Sequence, residues 1–349
     1  MGCVKLLIFG GSVFLSEAVA RVALARGHDV SCLTRGDSGA VPKGAQHIVA
    51  DRDEEPDPHT GTWTGLASHD WDAVIDVARK PSWVRTALEA LGDRVAHWTF
   101  ISSISVYSDL SEPGGTPADT PTVEPATEEV DDSTSPEDYG PNKVACEQAV
   151  QRVMDGRCLI VRPGLIVGPG DPSGRYTYWP ERLSRGGRVL VPEPQDAPTQ
   201  VIDVRDLAEW LVTAAEQQVT GVFDAVGPAM PFHELLAETA KGVDQVEAPG
   251  REARPPVRFL WVDADRLLAL DVRPWAGPRS LPLWLPGDEY AGMRDRDVSA
   301  TLDAGLSVRP LAETAGDTLR WVATGTGARK SGLTWDEEQD VLSALNDPA

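Results

Sequence analysis

The chain has 349 residues, 41% hydrophobic and 25% charged, which is typical of a globular protein with one large domain and a smaller appended part. Its formal net charge is −22, so it repels phosphate backbones and anionic lipids, and we expect no nucleic-acid and no membrane partner. The four cysteines are scattered and form no Cys-x-x-Cys pair, which predicts neither disulfides nor a metal site. We expect a cytoplasmic protein, because the sequence shows no signal-peptide pattern and no long apolar run.

Short apolar runs alternate with helical patterns over the first 100 residues. An apolar run over 4–9 meets the glycines at 10–11, and an amphipathic pattern over 16–26 ends at Gly27. Further strands are predicted over 29–34, 46–50, 73–77 and 97–103. Strands alternating with helices imply right-handed crossovers. The sequence therefore predicts an α/β fold, a Rossmann-type doubly wound parallel sheet.

An acidic stretch over 108–138 interrupts this alternation. It holds ten Asp and Glu residues, no Lys or Arg, and many Pro, Ser and Thr. Such a composition predicts a long solvated loop rather than a packed element. The loop is either a mobile surface excursion or an active-site lid, since it separates two candidate catalytic elements.

Beyond this loop the pattern becomes less regular. A helix is predicted over 139–154 and a strand over 158–161, followed by strands over 201–204, 222–226 and 259–262 and short helices in the last 55 residues. We predict a dinucleotide-binding domain over 1–168 and a mainly substrate-binding, mixed α/β part over 169–349. The strands 201–204 and 222–226 are expected to return to the first domain.

The first strand, the glycine turn and the following helix are placed as in a dinucleotide-binding unit, in which the helix N-terminus faces the pyrophosphate. In a G-x-x-G-x-x-G spacing the three positions are Gly10, Val13 and Ser16, so only the first is glycine. Gly10 can make the turn. Backbone N–H groups can still donate to the phosphates from Ser12, Val13, Phe14 and Leu15.

The end of the second predicted strand bears on the choice of cofactor. An acidic residue here would bind a ribose 2′-hydroxyl, whereas Arg35 suits a 2′-phosphate, which favours NADP(H) over NAD(H). A surface arginine without this role is the alternative. Asp51, Arg52 and Asp53 follow the third strand and are predicted to frame the adenine. Val77 and Ala78 end the fourth strand, where small residues suit a backbone running under the cofactor.

Three polar residues form a candidate reaction centre. Tyr139 and Lys143 are four apart at the start of a predicted helix and share one face. A phenol is a weak base at neutral pH, and a neighbouring ammonium favours its ionised form, so such a pair can exchange a proton with a hydroxyl. Ser103 ends the fifth strand, at the sheet edge where α/β proteins bind ligands, and can hold a substrate oxygen.

Taken together, these motifs resemble an extended short-chain dehydrogenase/reductase of the NAD-dependent epimerase/dehydratase family. The matching pieces, in the expected order, are FGGSVFLS, FISSISVY, YGPNK, VRPGLIVGP and VIDVRDLA. The C-terminal stretches EYAGM and GLSVRPLAETAGDTL resemble an actinobacterial reductase-like branch. The resemblance implies catalytic roles for Ser103, Tyr139 and Lys143, and a nicotinamide-side loop that includes Pro163 and Ile166.

The chain also departs from the family pattern. Val13 and Ser16 replace family glycines, and a basic residue that this branch often has at the Val13 position is missing. Leu165 stands where sugar-nucleotide epimerases usually have a polar substrate ligand, which argues against a standard UDP-sugar substrate.

The sequence leaves three functions open. The first is an NADP(H)-dependent oxidoreductase acting on the carbonyl or alcohol of a small molecule. Its substrate wall would be formed by Leu165, Tyr176, Tyr178, Trp179 and Gln200 and would suit an apolar substrate such as a secondary metabolite; ordinary core packing of the aromatic cluster is the alternative. The second is an epimerase or dehydratase that uses the cofactor transiently. The third is a cofactor sensor or a non-redox cyclase or isomerase. A monomer or a homodimer is expected.

Overall fold

The computed structural model describes residues 2–55, 57–128, 136–246, 254–325 and 330–346. The strands are β1 (Lys5–Phe9), β2 (Asp29–Thr34), β3 (Gln46–Val49), β4 (Trp71–Asp76), β5 (Val95–Ile101), β6 (Cys158–Pro163), β7 (Ile166–Val167), β8 (Arg188–Pro192), β9 (Pro198–Thr199), β10 (Ile202–Asp203), β11 (Gly221–Ala225), β12 (Met230–Pro231), β13 (Arg258–Val262), β14 (Arg273–Trp275) and β15 (Ser280–Pro282). The α-helices are α1 (Phe14–Ala25), α2 (Gly61–Leu66), α3 (Pro81–Leu91), α4 (Tyr139–Met154), α5 (Tyr178–Leu183), α6 (Val204–Gln217), α7 (Phe232–Asp244), α8 (Ala264–Ala269), α9 (Ala291–Arg294), α10 (Ser299–Asp303), α11 (Leu311–Ala323) and α12 (Trp335–Asn346).

Seven strands form a central sheet in the order β11-β6-β5-β4-β1-β2-β3, and every neighbouring pair is parallel. The chain runs outward in one direction from β1 to β3 and in the other from β4 to β11, so the order reverses between β1 and β4. In such sheets ligands bind at the carboxyl ends of the strands at this reversal point. The predicted doubly wound parallel sheet is confirmed.

Helices cover both faces of this sheet, which explains why its strands are nearly continuous apolar runs rather than alternating ones. On one face α1 and α6 pack on Leu6, Ile8 and Val161. On the other face α2, α3 and α4 pack on residues such as Leu7 and Trp98. The two buried layers hold the strand ends, and therefore the side chains that follow them, in fixed positions.

A second hydrophobic core lies in the C-terminal part, where α5, α7, α11 and the β8–β13 pair pack together. Strand β11, within the predicted strand 222–226, lies in the central sheet. Strand β10, within the predicted strand 201–204, pairs with the short β7 and does not join that sheet. Ile202 and Val204 nevertheless pack in the same buried layer as Leu6 and Ile8, so the segment returns to the core of the first domain without extending its sheet. Nowhere along the described ranges is a helix long and apolar enough to cross a membrane.

The described part of the acidic segment, 108–128, is docked rather than loose. Its backbone bonds the α9 region, with the Gly292 N–H donating to Leu110 O at 2.7 Å and the Gly114 N–H donating to Asp295 O at 2.6 Å. The prediction of an unpacked loop is therefore wrong for 108–128, because main-chain hydrogen bonds to a distant segment hold it regardless of its acidic side chains. The rest of the predicted loop includes 129–135, which lies outside the described residues.

Candidate active site

A long cleft follows the carboxyl ends of β1, β2, β4 and β5, and it consists of two adjoining cavities. The first, of about 590 Å³, borders Gly10, Arg35 and Ala78 and is called here the nucleotide half. The second, of about 620 Å³, borders Ser103, Tyr139 and Lys143 and is called the catalytic half. Val77 and Arg79 line both cavities, so the two halves form one continuous groove across the sheet reversal.

The turn after β1 keeps the first glycine of the pattern for a steric reason. Gly10 has a φ of +128°, and a Cβ there would lie 2.9 Å from the Cβ of Ser16. Ser16 occupies the third glycine position and lines the nucleotide half, and its hydroxyl folds back to donate to Val13 O at 2.9 Å. Val13 has a φ of −136°, which any residue can adopt. The two substitutions therefore leave the turn intact.

Helix α1 begins at the nucleotide half and has no side-chain cap. The first N–H groups of a helix have no partner within it and attract phosphate oxygens. Phe14, at the first helical position, has an unusual φ of +41° and lines the catalytic half, whereas the Leu15 side chain is buried in the core. The Val13 side chain is 44% exposed and lines the nucleotide half together with Ser12. These features suit a nicotinamide dinucleotide, whose pyrophosphate would lie at the uncapped helix end with the Val13 side chain beside it.

The remaining predicted nucleotide-half residues divide into two groups. Arg35 lies in the cavity wall with its side chain 52% exposed, 3.5 Å from Asp37. Arg52 also lines the cavity, but its guanidinium is buried in an ion pair with Asp76 at 3.3 Å and lies over the Phe9 ring. The Asp51 carboxylate accepts the Asp53 N–H at 2.9 Å and is not part of the cavity wall. The prediction is therefore wrong for Asp51, which binds its own turn and lies outside the wall, whereas Arg52 does lie in the wall, with its guanidinium held by Asp76.

Asp53, the third residue predicted to frame the adenine, binds two residues that the sequence did not indicate, Lys80 and Trp83. The Asp53 carboxylate accepts hydrogen bonds from Lys80 Nζ at 2.8 Å and from Trp83 Nε1 at 2.7 Å. Lys80, as the largest cause, and Trp83 lower the pKa of Asp53. Lys80 and Trp83 border the cavity, so they can contact a base or ribose there.

In the catalytic half, helix α4 and strand β5 bring the predicted reaction centre together. Lys143 is 2% exposed, and its Nζ donates to Ala78 O at 2.7 Å and to Ile101 O at 2.6 Å. The same Nζ lies 5.8 Å from the centre of the Tyr139 ring. Ser103 Oγ donates to Ser105 Oγ at 3.0 Å and accepts the Ser105 N–H at 3.1 Å. The three side chains thus face one cavity, with the ammonium fixed by two backbone carbonyls.

A buried polar network lies behind this centre. Glu147, one turn after Lys143 on α4, forms a two-point ion pair with Arg162 of β6 at 2.7 and 3.0 Å. Arg162 also donates to the Tyr107 hydroxyl at 3.1 Å, and that hydroxyl donates to Asp224 at 2.7 Å. Burial raises the pKa of Tyr107 and that of Asp224. The network ties α4 to three neighbouring strands or strand ends and so fixes the position of the reaction centre.

The catalytic half also contains charged residues that the sequence reading did not identify. Arg79 lies 5.1 Å from the centre of the Tyr139 ring, and Arg175 lies 4.7 Å from that of Trp275. Burial lowers the pKa of Arg175 and raises that of Asp171. The position of Arg79 directly after the predicted Val77-Ala78 pair could have indicated that it lies at the cleft. No local sequence pattern indicates this for Arg175.

The predicted substrate wall is largely wrong. Tyr176, Tyr178 and Trp179 are fully buried in the second core, where their rings pack against core neighbours. The Gln200 amide is bound on both sides to the Arg296 backbone and lies outside the catalytic half. Leu165 does line it, as do Pro163 and Ile166 of the predicted nicotinamide-side loop.

Comparisons with known proteins agree with this architecture. Residues 6–225 match the NAD dependent epimerase/dehydratase family. The chain is similar to the chloroplast stem-loop binding protein of 41 kDa b of Arabidopsis thaliana, with 25% identity over 221 residues, or 58% of this chain and 53% of that protein. It therefore spans about half the length of this curated relative.

Two solved structures show the same fold. The Bordetella bronchiseptica enzyme WbmH, solved in complex with NAD+, superposes with a TM-score of 0.61 and 17% identity over 92% of this chain and 99% of its own. UDP-N-acetylglucosamine 4-epimerase from Bacillus cereus gives a TM-score of 0.62 and 16% identity over the same shares, 92% and 99%. From its matched sequence, the chain belongs to the NAD dependent epimerase/dehydratase family.

Proposed function

We propose that this protein is an NADP(H)-dependent oxidoreductase that interconverts a carbonyl and an alcohol on a small molecule. The observation that carries the proposal is the continuous groove from the Gly10 turn to Ser103, Tyr139 and Lys143. A dinucleotide lying along it would bring its nicotinamide end into the cavity that holds these three residues.

The residues of the catalytic half have distinct roles in this proposal. The bound nicotinamide supplies or accepts the hydride. In the reducing direction Tyr139 gives its phenolic proton to the substrate oxygen, while the Ser103 hydroxyl holds that oxygen in place. Lys143, fixed by the carbonyls of Ala78 and Ile101, stabilises the phenolate that remains. In the oxidising direction the same proton returns to Tyr139.

Arg35 supports the choice of NADP(H) over NAD(H). It follows β2, lines the nucleotide half and keeps an exposed guanidinium that can pair with a 2′-phosphate. Asp37 lies beside it at 3.5 Å, and a bound phosphate would compete with this exposed pair. Exposed ion pairs contribute little, so this competition weakens phosphate binding only slightly.

A second candidate is an epimerase or dehydratase that uses the cofactor transiently, as the family name indicates. The same three catalytic residues would serve it. Leu165 favours the first candidate, because it places an apolar side chain in the catalytic half where a polar sugar ligand would be needed. A stem-loop-binding role like that in the relative's name is disfavoured by the net charge of −22.

The test combines calorimetry with an absorbance assay. Purified protein is titrated with NADPH and NADH, and NADPH oxidation is then followed with a panel of aromatic aldehydes and ketones. Tighter NADPH binding with net NADPH consumption supports the oxidoreductase. Binding followed by racemised or dehydrated product without net consumption supports the second candidate. If the folded protein binds neither nucleotide, the proposal is wrong.

A further inference from the structure

Arg175 is a cation of the catalytic half for which the proposed hydride chemistry has no use. It lies between β7 and α5, half-buried, in the wall of the cavity that also contains Tyr139 and Lys143. Its guanidinium lies over the Trp275 ring at 4.7 Å, and its Nε donates to Ser173 Oγ at 3.2 Å. The ring and the hydroxyl hold the guanidinium in place without neutralising it.

No carboxylate lies within salt-bridge distance of Arg175 in the part of the chain that the structure describes. Asp171 borders the same cavity, but its carboxylate accepts the Ser173 N–H at 2.8 Å and the Ser173 hydroxyl at 2.9 Å. By contrast, Arg182 and Arg205, two other arginines of the C-terminal part that are buried or half-buried, have close carboxylate partners. Burial removes water from a cation and so costs free energy. When no carboxylate is paired with the cation, a bound anion can offset that cost.

The charge of the cavity is opposite to that of the whole molecule. Among the described lining residues, Lys143 and Arg175 outnumber the one carboxylate, that of Asp171, whereas the chain has a net charge of −22. A concave site lined by one sign of charge concentrates ligands of the other sign. Apolar side chains fill much of the remaining wall, namely Phe14, Leu165, Trp275 and Met293.

We propose that the substrate carries an oxyanion, a carboxylate in the simplest case, on an apolar or aromatic body, and that Arg175 binds this group. The inference rests on the proposed function, since the bound molecule is the one whose carbonyl faces Tyr139. Arg175 would act as a specificity-determining residue that selects anionic over neutral substrates of the same shape. The Trp275 ring would support both the guanidinium and the apolar body of the substrate.

The test uses benzoate and benzamide, which have nearly the same shape and differ in charge. Both are titrated by calorimetry into the full chain, first as wild type and then as Arg175→Gln. A charge-assisted pair should make benzoate bind about tenfold more tightly than benzamide in the wild type. The preference should disappear in Arg175→Gln. If the wild type binds benzoate and benzamide equally, that result alone overturns the proposal.

The matched control is Arg185→Gln. Arg185 also lies over a tryptophan ring, that of Trp335 at 5.6 Å, but it is 49% exposed and outside the cleft. Its loss should leave the benzoate preference unchanged. An equal loss in both variants would mean that benzoate responds to overall charge, and the assignment to Arg175 would be wrong.

A parallel titration with NADP+ separates this inference from the proposed function. Failure of the wild type to bind NADP(H) would overturn the proposed function, while the benzoate preference would still be readable. If Arg175→Gln instead weakens NADP+ about tenfold and keeps the benzoate preference, Arg175 binds the cofactor, and the substrate inference is wrong. Unchanged NADP+ affinity with a lost benzoate preference is the expected result.

Discussion

The two halves of the cleft hold their functional groups in different ways. In the nucleotide half the groups aimed at the ligand are backbone N–H groups of α1 and the Arg35 side chain, which is 52% exposed. In the catalytic half Lys143 is 2% exposed and fixed by two carbonyls, and the ion pair of Glu147 with Arg162 is buried behind it. One half therefore depends on backbone shape, and the other on the identity of individual side chains.

This difference explains where the chain departs from its family. Val13 and Ser16 can replace glycines because φ at Val13 is ordinary and the Ser16 hydroxyl folds back onto the turn. The backbone donors do not depend on those side chains. In the catalytic half no such substitution occurs at Ser103, Tyr139 or Lys143. Changes there should abolish chemistry or stability, whereas changes in the nucleotide half should alter affinity.

The largest effect is expected for Tyr139→Phe. Without the phenolic proton donor, turnover in the NADPH oxidation assay should fall about 1,000-fold or more. NADPH affinity by calorimetry should stay within about twofold, because the ring and its contacts are kept. Turnover near the wild-type rate would mean that Tyr139 does not transfer the proton, and the proposed mechanism would be wrong.

Glu147→Gln tests the buried network without touching the cleft. Removing one charge leaves Arg162 partly unpaired in the interior, so the free energy of unfolding should fall by about 3 kcal/mol in urea titrations. Glu17→Gln is the matched control, since it breaks the exposed Glu17–Arg21 pair and should cost less than about 0.5 kcal/mol. Equal losses in the two variants would contradict the contrast between buried and exposed pairs.

Arg35→Ala changes the nucleotide half and should affect binding rather than folding. Loss of a charge-assisted phosphate contact should weaken NADPH binding about 20-fold and leave NADH binding within about twofold. The control is Arg21→Ala, which removes an exposed arginine of α1 outside the cavity and should change neither affinity. A parallel loss for both nucleotides would show that Arg35 does not read the 2′-phosphate.

The sequence predicted the parts of the site that depend on local patterns. Each of these features lies within one short stretch of sequence: the Gly10 turn, Ser103 at the end of a strand, and the i, i+4 pair of Tyr139 and Lys143. The reaction centre could be assembled because strand ends in a parallel sheet meet at one edge. The central sheet followed from the same alternation of strands and helices.

The parts that the sequence missed depend on contacts between distant segments. Tyr176 and Trp179 suggested a substrate wall, yet both are buried in the second core, while their neighbour Arg175 faces the cleft. Its partner Trp275 is 100 residues away along the chain, and no spacing links the two. The docking of 108–128 onto the α9 region was missed for the same reason, since main-chain hydrogen bonds leave no trace in composition.

The smallest expected effect is a pH dependence of benzoate affinity, which arises because the carboxylates of the two halves differ in pKa. Burial, the largest cause, raises the pKa of Asp171 in the catalytic half, whereas Lys80 lowers the pKa of Asp53 in the nucleotide half. On acidification towards the range in which carboxyl groups titrate, Asp171 should take up a proton before Asp53 does. Neutral Asp171 no longer competes for the Arg175 charge, so benzoate affinity should rise a few-fold on acidification.

The sign of this effect can be checked against stability. Because its pKa is higher in the folded chain than in the unfolded one, Asp171 binds its proton preferentially in the folded state, so its protonation in this pH range favours folding. Partial unfolding is therefore not the expected source of a change in affinity. Asp171→Asn should bind benzoate with an affinity that no longer depends on pH over this range, measured by the same calorimetry. A pH dependence that persists in Asp171→Asn would assign the titration to another group and leave Arg175 without an electrostatic link to Asp171.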